Sequence, residues 1–320
     1  MKVLVTGASG FVGSELVQEL VRRGEYDVRA AVRSAAPGDA LADVEVCGVG
    51  DISDATDWRD ALAGVDCVVH LAGRAHVLRE SRRSPLQAFR TVNTAGTLTL
   101  AQQAARTGVK RFVFVSSIGV NGVQTTGAPF DEDSRCAPAA PYAVSKYEAE
   151  QGLRSLLRSH PMEWVIVRPP LVYAAHAPGN FGRLLKWVHR GVPLPLASVQ
   201  NARSMVALEN LVDFLITALA HPQAANQLFL VSDGWAVSTP QIVRHLAKGM
   251  GRASRLFPVP PALLWAGATA VGKRSLCQQL CGSLEVDDTK SHALLDWHPV
   301  MGPQQALVAA GCKYDASLEC

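Results

Sequence analysis

The sequence predicts an α/β protein, a doubly wound parallel sheet with a smaller C-terminal lobe. Three observations predict it. Short β-branched runs alternate with longer helical patterns through the first half of the chain. Those runs are nearly continuous in apolar residues, as strands covered on both faces must be. The first run leads straight into a glycine-rich turn and then a helical pattern.

Strands are expected at residues 3–6, 28–32, 44–47, 67–71, 112–116 and 164–168, with helices at 12–23, 58–63, 86–107 and 142–159. Leu98, Ala101 and Ala105 share one face of the third helix, and Gly108 suits its C-terminal stop. After Arg168 the alternation breaks down. Proline and glycine cluster in RPPLVYAAHAPGNFG and GVPLPLASV, and helical patterns return at 208–220 and 239–249. Residues 1–168 therefore form the sheet domain. Residues 169–320 form mainly a second lobe built from insertions, with the chain crossing back to the sheet in part of that half. The tail after about Gly311 is expected to be loosely held.

With 320 residues, 48% hydrophobic and 18% charged, the chain fits a soluble globular protein with a generous core. A net charge of +3 without a long basic run argues against nucleic acid, while leaving room for a phosphorylated ligand. The seven cysteines are odd in number and scattered; Cys277 and Cys281, four apart, suit one helix face better than a metal knuckle. Reduced thiols in a cytoplasmic protein and no metal site are expected. The opening MKVLVTGASG enters a glycine loop directly and does not read as a signal peptide. The longest apolar stretch, 261–272, is too short for a bilayer and reads as a buried or surface-packed helix. No stable membrane insertion is expected.

The glycine turn is Gly7-Ala-Ser-Gly10-Phe11-Val12-Gly13. Gly7 allows the tight turn, Gly10 lets backbone approach a pyrophosphate, and Gly13 lets the helix pack on the strand. The helix N-terminus at Phe11 and Val12 offers free N–H groups and a positive dipole end. This is the pattern of a Rossmann-type dinucleotide site. Twenty residues past Gly13, where an acidic residue would hold both ribose hydroxyls of NAD, stands Arg33. A fixed cation there suits a 2′-phosphate, so NADP(H) is favoured over NAD(H). Asp51 can accept from the adenine amino group while Ile52 packs on the ring. Leu71, Ala72 and Gly73 end the fourth strand where the cofactor would pass.

The reactive groups come from two places. The fifth strand ends in Ser116-Ser117, and Tyr142 and Lys146 stand one helical turn apart about 25 residues later. Tyrosine, with a reference pKa of about 10, is a poor base at neutral pH unless a cation stabilises the phenolate. Lys146 supplies that charge, and Ser117 can hydrogen-bond the same substrate oxygen.

These residues resemble the extended short-chain dehydrogenase/reductase family, in particular its NAD(P)-dependent sugar-nucleotide epimerases, dehydratases and reductases. The resemblance implies cofactor contacts from Gly7, Gly10, Gly13, Asp51, Ile52, Ala72, Gly73 and Asn93. Asn93 on its own would read as a solvated mid-helix residue. The resemblance also implies the catalytic set Ser117, Tyr142 and Lys146, with Lys146 on the nicotinamide ribose as well. The Arg168-Pro169-Pro170 segment looks like the family's strand end beside the nicotinamide, and Ser116 is counted with Pro169 among the cofactor contacts. Asn180 and Arg203 look like contacts to a nucleotide diphosphate, and the strand from Leu194 to Leu196 like the one lying along uracil. VYxxxxxxNFxRLL, LPLxxVxNxRSxV and FLVSDG resemble a branch near bacterial UDP-glucose 4-epimerases, which includes UDP-4-keto-6-deoxy-N-acetylglucosamine reductases of surface-polysaccharide pathways.

The chain departs from the family at several points. Epimerases carry an acidic residue where Arg33 stands. Val120-Asn121-Gly122 replaces V-Y-G, Ala174-Ala175-His176 replaces glycine-proline-glycine, and CGSLEVDD lacks the expected second diphosphate arginine, with Arg274 near but not aligned. The expected activity is redox chemistry at carbon 4 of a UDP-sugar. The first form is 4-keto reduction of a UDP-4-keto-6-deoxy-N-acetylhexosamine by an exchangeable NADPH. The alternative is a UDP-glucose or UDP-N-acetylglucosamine 4-epimerase with tightly held NAD. A non-catalytic NADP(H) sensor is the third, disfavoured by the complete Ser-Tyr-Lys set. A homodimer is left open.

Overall fold

The computed structural model describes residues 1–34, 44–75 and 85–318. The chain begins β1 (Lys2–Thr6), α1 (Phe11–Arg23), β2 (Asp27–Val32), β3 (Glu45–Gly48), α2 (Arg59–Leu62) and β4 (Cys67–His70). α3 (Pro85–Phe89) runs through a π-helical stretch (Arg90–Gly96) into α4 (Thr97–Arg106), followed by β5 (Arg111–Val115), α5 (Pro141–Leu157) and β6 (Glu163–Arg168). Every expected strand and helix of the first half is present, with ends shifted by a residue or two.

The second half holds β7 (Leu171–Tyr173), α6 (Gly179–His189), β8 (Met205–Ala207), α7 (Leu208–Ala220), β9 (Gln227–Leu230) and α8 (Thr239–Gly249). It ends with α9 (Pro261–Ala270), α10 (Arg274–Cys281), α11 (Thr289–Leu295) and α12 (Pro303–Ala316).

The main sheet has the order β3-β2-β1-β4-β5-β6-β9 and all its pairings are parallel. Alternate residues of β1 explain its place at the centre. Val3 and Val5 pack with Leu16, Val17 and Leu20 of α1 and with α7 on one face. Leu4 packs with Leu100, Ala101 and Ala104 of α4 and with Leu153 of α5 on the other. Strand order reverses between β1 and β4, so their carboxyl ends splay a crevice where such sheets bind ligands.

β7 and β8 pair as a separate parallel ribbon. Around it α6, α8 and α12 enclose the apolar core of the second lobe.

Two local expectations are corrected. The tail beyond Gly311 is held: α12 runs on to Ala316, Tyr314 packs against the apolar core of the second lobe, Lys313 donates to Glu209 Oε1 at 2.7 Å, and the helix crosses α8 so closely that a Cβ on Gly249 would lie 2.1 Å from the Val308 carbonyl oxygen. Only glycine lets these backbones meet. Residues 194–196 do not form a strand either. Leu194 makes one bridge, to Leu256, and the chain then turns. The adjacent Pro193 and Pro195 lack the N–H groups that a ladder needs. The apolar run 261–272 forms α9, which packs on α10 and buries none of its residues fully.

Candidate active site

The glycine turn is shaped by close backbone approach. Gly7 has φ of +68°, and a Cβ there would sit 2.8 Å from the Ala72 nitrogen. A Cβ on Gly13 would sit 2.1 Å from the Gly7 carbonyl oxygen, so α1 is seated directly on the turn. The Gly10 N–H closes the turn onto that same oxygen at 2.9 Å. No side chain caps α1, and its first turn carries no acidic residue. Its leading N–H groups and dipole therefore face the crevice uncompensated, which is what a pyrophosphate needs. The cradle fits a dinucleotide.

Arg33 lies just past β2 and Asp51 just past β3. The two side chains form an ion pair at 3.0 Å with 83% and 89% of their surfaces exposed. An exposed pair of this kind contributes little and is easily opened by a ligand. Ile52 is half-buried, and a Cβ on Gly96 would strike its Cγ2 methyl at 2.4 Å, so this side chain already packs on the π-helical stretch.

Three predicted contacts converge beyond β4. Gly73 has no room for a Cβ without pressing Asn93 Oδ1 at 3.2 Å and Lys146 Nζ at 3.4 Å. Asn93 is fully buried, not solvated. Its Oδ1 accepts from the Arg74 N–H at 2.7 Å, and its Nδ2 donates to the Arg74 carbonyl and to Ser145 Oγ. The π-helical stretch turns it inward, a common use of such irregularity. Leu71 and Ala72 are tied to the end of β1, their N–H groups donating to the Thr6 carbonyl and Thr6 Oγ1. His70 bridges Thr6 and Thr97 at 2.7 and 2.9 Å. Thr97 donates its own proton to the Asn93 carbonyl, which assigns the imidazole a proton on Nε2. Burial and then the nearby Lys146 hold His70 down at about 3, so it is a neutral strut.

Ser117 caps a short 3-10 turn, Ile118–Val120, with its Oγ accepting from the Gly119 N–H at 3.1 Å, which leaves its own proton free to donate. Its loop is pinned to the end of β6 by the Ile118 N–H on the Pro169 carbonyl at 3.0 Å. Ser116 turns inward and donates to Glu150 Oε1 at 2.5 Å. Tyr142 is half-buried beside Phe89, and Lys146 reaches under the site. The ammonium donates to the Val115 carbonyl at 2.9 Å and lies 4.6 Å over the Phe114 ring. Burial pushes the Tyr142 phenol up to about 12. Burial also pulls Lys146 down to about 8, against the upward pull of Glu150.

Beneath these residues lies a network that sequence reasoning missed. Glu150 and Arg168 form a doubly hydrogen-bonded ion pair at 2.9 and 2.5 Å, with 0% and 2% of their side chains exposed. Arg168 also donates to Asn121 Oδ1 at 2.9 Å. The available signal was the spacing Tyr142, Lys146, Glu150, one position every fourth residue on α5.

In the second lobe the predicted residues separate. Asn180 is exposed on α6 and donates to Gln279 Oε1 of α10. The side chains of Leu194 and Leu196 belong to the apolar core of that lobe. Arg203 is half-buried and donates to the Gly282 carbonyl at 3.1 Å, and burial lowers its pKa. Among the described residues no carboxylate lies within ion-pair distance of it.

A parallel sheet with a glycine turn at its reversal point, and a Ser-Tyr-Lys set beside it, define a nicotinamide-dependent enzyme of the short-chain dehydrogenase/reductase type. The chain belongs to the NAD dependent epimerase/dehydratase family, whose model matches residues 3–231. It is 44% identical over 299 residues to a UDP-glucose 4-epimerase of Vibrio cholerae, covering 93% of this chain and 90% of that one. It is 26% identical over 305 residues to an N-acetyl-α-D-glucosaminyl-diphospho-ditrans,octacis-undecaprenol 4-epimerase of Escherichia coli O157:H7, covering 91% and 88%. Among solved structures, UDP-glucuronic acid 4-epimerase from Bacillus cereus in complex with NAD shares the fold with a TM-score of 0.79 at 22% identity, covering 99% and 97%.

Proposed function

We propose that this protein is a UDP-sugar 4-epimerase that keeps its nicotinamide cofactor bound. The observation that carries the nucleotide-sugar reading is Arg203. A guanidinium stripped of much of its water, with one carbonyl partner and no carboxylate among the described residues, is poised for an anion such as a diphosphate. The 44% identity to a UDP-glucose 4-epimerase, spread over nearly the whole chain, supports epimerisation as the outcome.

A nicotinamide held at this site would supply a hydride acceptor and donor for carbon 4. The chain does the rest. α1 and the glycine turn would hold the pyrophosphate, and Lys146 and Asn93, beside Gly73, would line the cofactor's path. Ser117 donates to the oxygen on carbon 4. Tyr142 takes the hydroxyl proton as carbon 4 is oxidised and returns it after the sugar has turned over. Lys146 lowers the cost of the phenolate that stands before the first of those transfers and again after the second.

Arg33 favours a second reading, 4-keto reduction of a UDP-4-keto-6-deoxy-N-acetylhexosamine with exchangeable NADPH. One experiment separates the two. The purified protein is denatured and its released nucleotide identified, and the native protein is then mixed with UDP-glucose or UDP-N-acetylglucosamine. Released NAD and formation of the 4-epimer without added cofactor are expected. A protein that arrives empty, forms no epimer and oxidises NADPH only with the 4-keto sugar overturns the epimerase.

A further inference from the structure

We propose that the α9–α10 hairpin is a docking surface for an anionic lipid membrane. α9 reads PALLWAGATA, and Thr269, its one polar side chain, spends its hydroxyl on the Trp265 carbonyl at 2.8 Å. A helix apolar all round is ordinarily buried. Here none of its residues is fully buried, with Leu263 63% exposed, and Val271 just beyond it is 67% exposed. No helix among the described residues is long and apolar enough to cross a membrane, so the surface is suited to lying on one.

Charge identifies the occupant. Residues 251–284 contain Arg252, Arg255, Lys273 and Arg274 and no aspartate or glutamate. Arg252 is taken up by Asp315 and His189. Arg255, Lys273 and Arg274 are exposed, and none has a carboxylate within ion-pair distance among the described residues. Lys273 and Arg274 also stand at the N-terminus of α10, where the helix dipole repels cations. Anionic headgroups beside them would relieve that repulsion while the acyl boundary takes up Leu263 and Val271. A second copy fits less well. A two-fold contact sets the patch against itself and brings unpaired cations together. The opposite end of the hairpin reaches the second lobe at Gln279 and Asn180, so docking would hold that lobe beside the bilayer.

The test uses the full chain, co-sedimented with phosphatidylcholine vesicles that contain or lack phosphatidylglycerol. Binding to the anionic vesicles alone is expected. Leu263→Asp should abolish it. Lys273→Gln with Arg274→Gln should weaken it about fivefold for each charge removed. Both variants should keep wild-type turnover on a soluble UDP-sugar, which shows that they fold. Absence of wild-type binding to the anionic vesicles overturns the proposal, as does binding that both variants retain. A wild-type dimer that Leu263→Asp converts to a monomer, without vesicle binding, assigns the face to a second copy instead.

Discussion

Replacing Glu150 with glutamine tests whether the buried network sustains Lys146. The carboxylate accepts from two Arg168 nitrogens and from Ser116, with essentially no exposure to water. Glutamine keeps the shape but presents an amide donor to one guanidinium donor and leaves Arg168 charged in the interior. Breaking a buried pair on one side costs about 3–5 kcal/mol, a large part of the usual 5–15 kcal/mol of stability. The thermal midpoint should fall by roughly 5–10 °C. Lys146 should respond too. Burial already lowers it to about 8, and Glu150 is the group that raises it. Without that carboxylate, and with Arg168 uncompensated, its pKa falls further. The active form needs the ammonium, so activity is lost as pH rises through this pKa. The alkaline limb of the kcat profile should therefore move toward acid, by about one unit for each 1.4 kcal/mol of interaction lost. Pairing the change with Arg168→Met should recover much of the stability, because neutral partners need no counter-charge. The alkaline limb should stay shifted. A wild-type midpoint together with an unmoved limb in Glu150→Gln would refute this account.

Tyr142→Phe should bind cofactor almost normally and lose turnover by about a hundredfold or more, measured with cofactor titration alongside single-substrate kinetics. Arg33→Ala should weaken NADPH about ten- to a hundredfold and leave NADH unchanged if the arginine meets a 2′-phosphate; fluorescence titration of both cofactors reads this directly, and equal wild-type affinities would leave Arg33 a surface partner of Asp51. Arg203→Lys should raise KM for the UDP-sugar strongly with cofactor affinity unchanged, because lysine cannot reproduce a bidentate fork. Calorimetry with UDP on the cofactor-loaded wild type supplies the control, and silence at millimolar UDP would sink the nucleotide-sugar reading.

The sheet domain was legible because its strands are buried on both faces and its helices have one apolar face, so period and composition agree. β9 was harder. Its four residues follow a helix rather than a glycine turn, and only its parallel register with β6 places it in the sheet. β7 and β8 are three residues each, too short for a period to register. At residues 194–196 the family resemblance implied a strand, while the prolines remove the hydrogen bonds that would make one. The α12 tail was undervalued because its helix is held by Gly311 against Gly249, a contact between residues far apart in sequence.

The placing of Tyr142 and Lys146 one turn apart on α5 was readable because the chemistry proposed for them demands the pair. The pairing of Glu150 with Arg168 was not, because the two stand on different elements 18 positions apart and a carboxylate on a helix ordinarily faces water. The fold brings β6 under α5, so Arg168 meets Glu150 at the level below Lys146. Tyr142, Lys146 and Glu150 follow one another at every fourth residue of α5, and Arg168 pairs with the last of them. The order has a physical reason. A cation buried under a phenol needs an anion behind it to stay charged, and that anion needs a cation of its own once water is gone. Lys146 can therefore hold its proton at neutral pH although it is fully buried among Phe114, Gly73 and the Val115 carbonyl. Asn93 follows the same principle: its amide satisfies both backbone groups of Arg74, which compensates its burial, and it fixes the segment on which Gly73 rides.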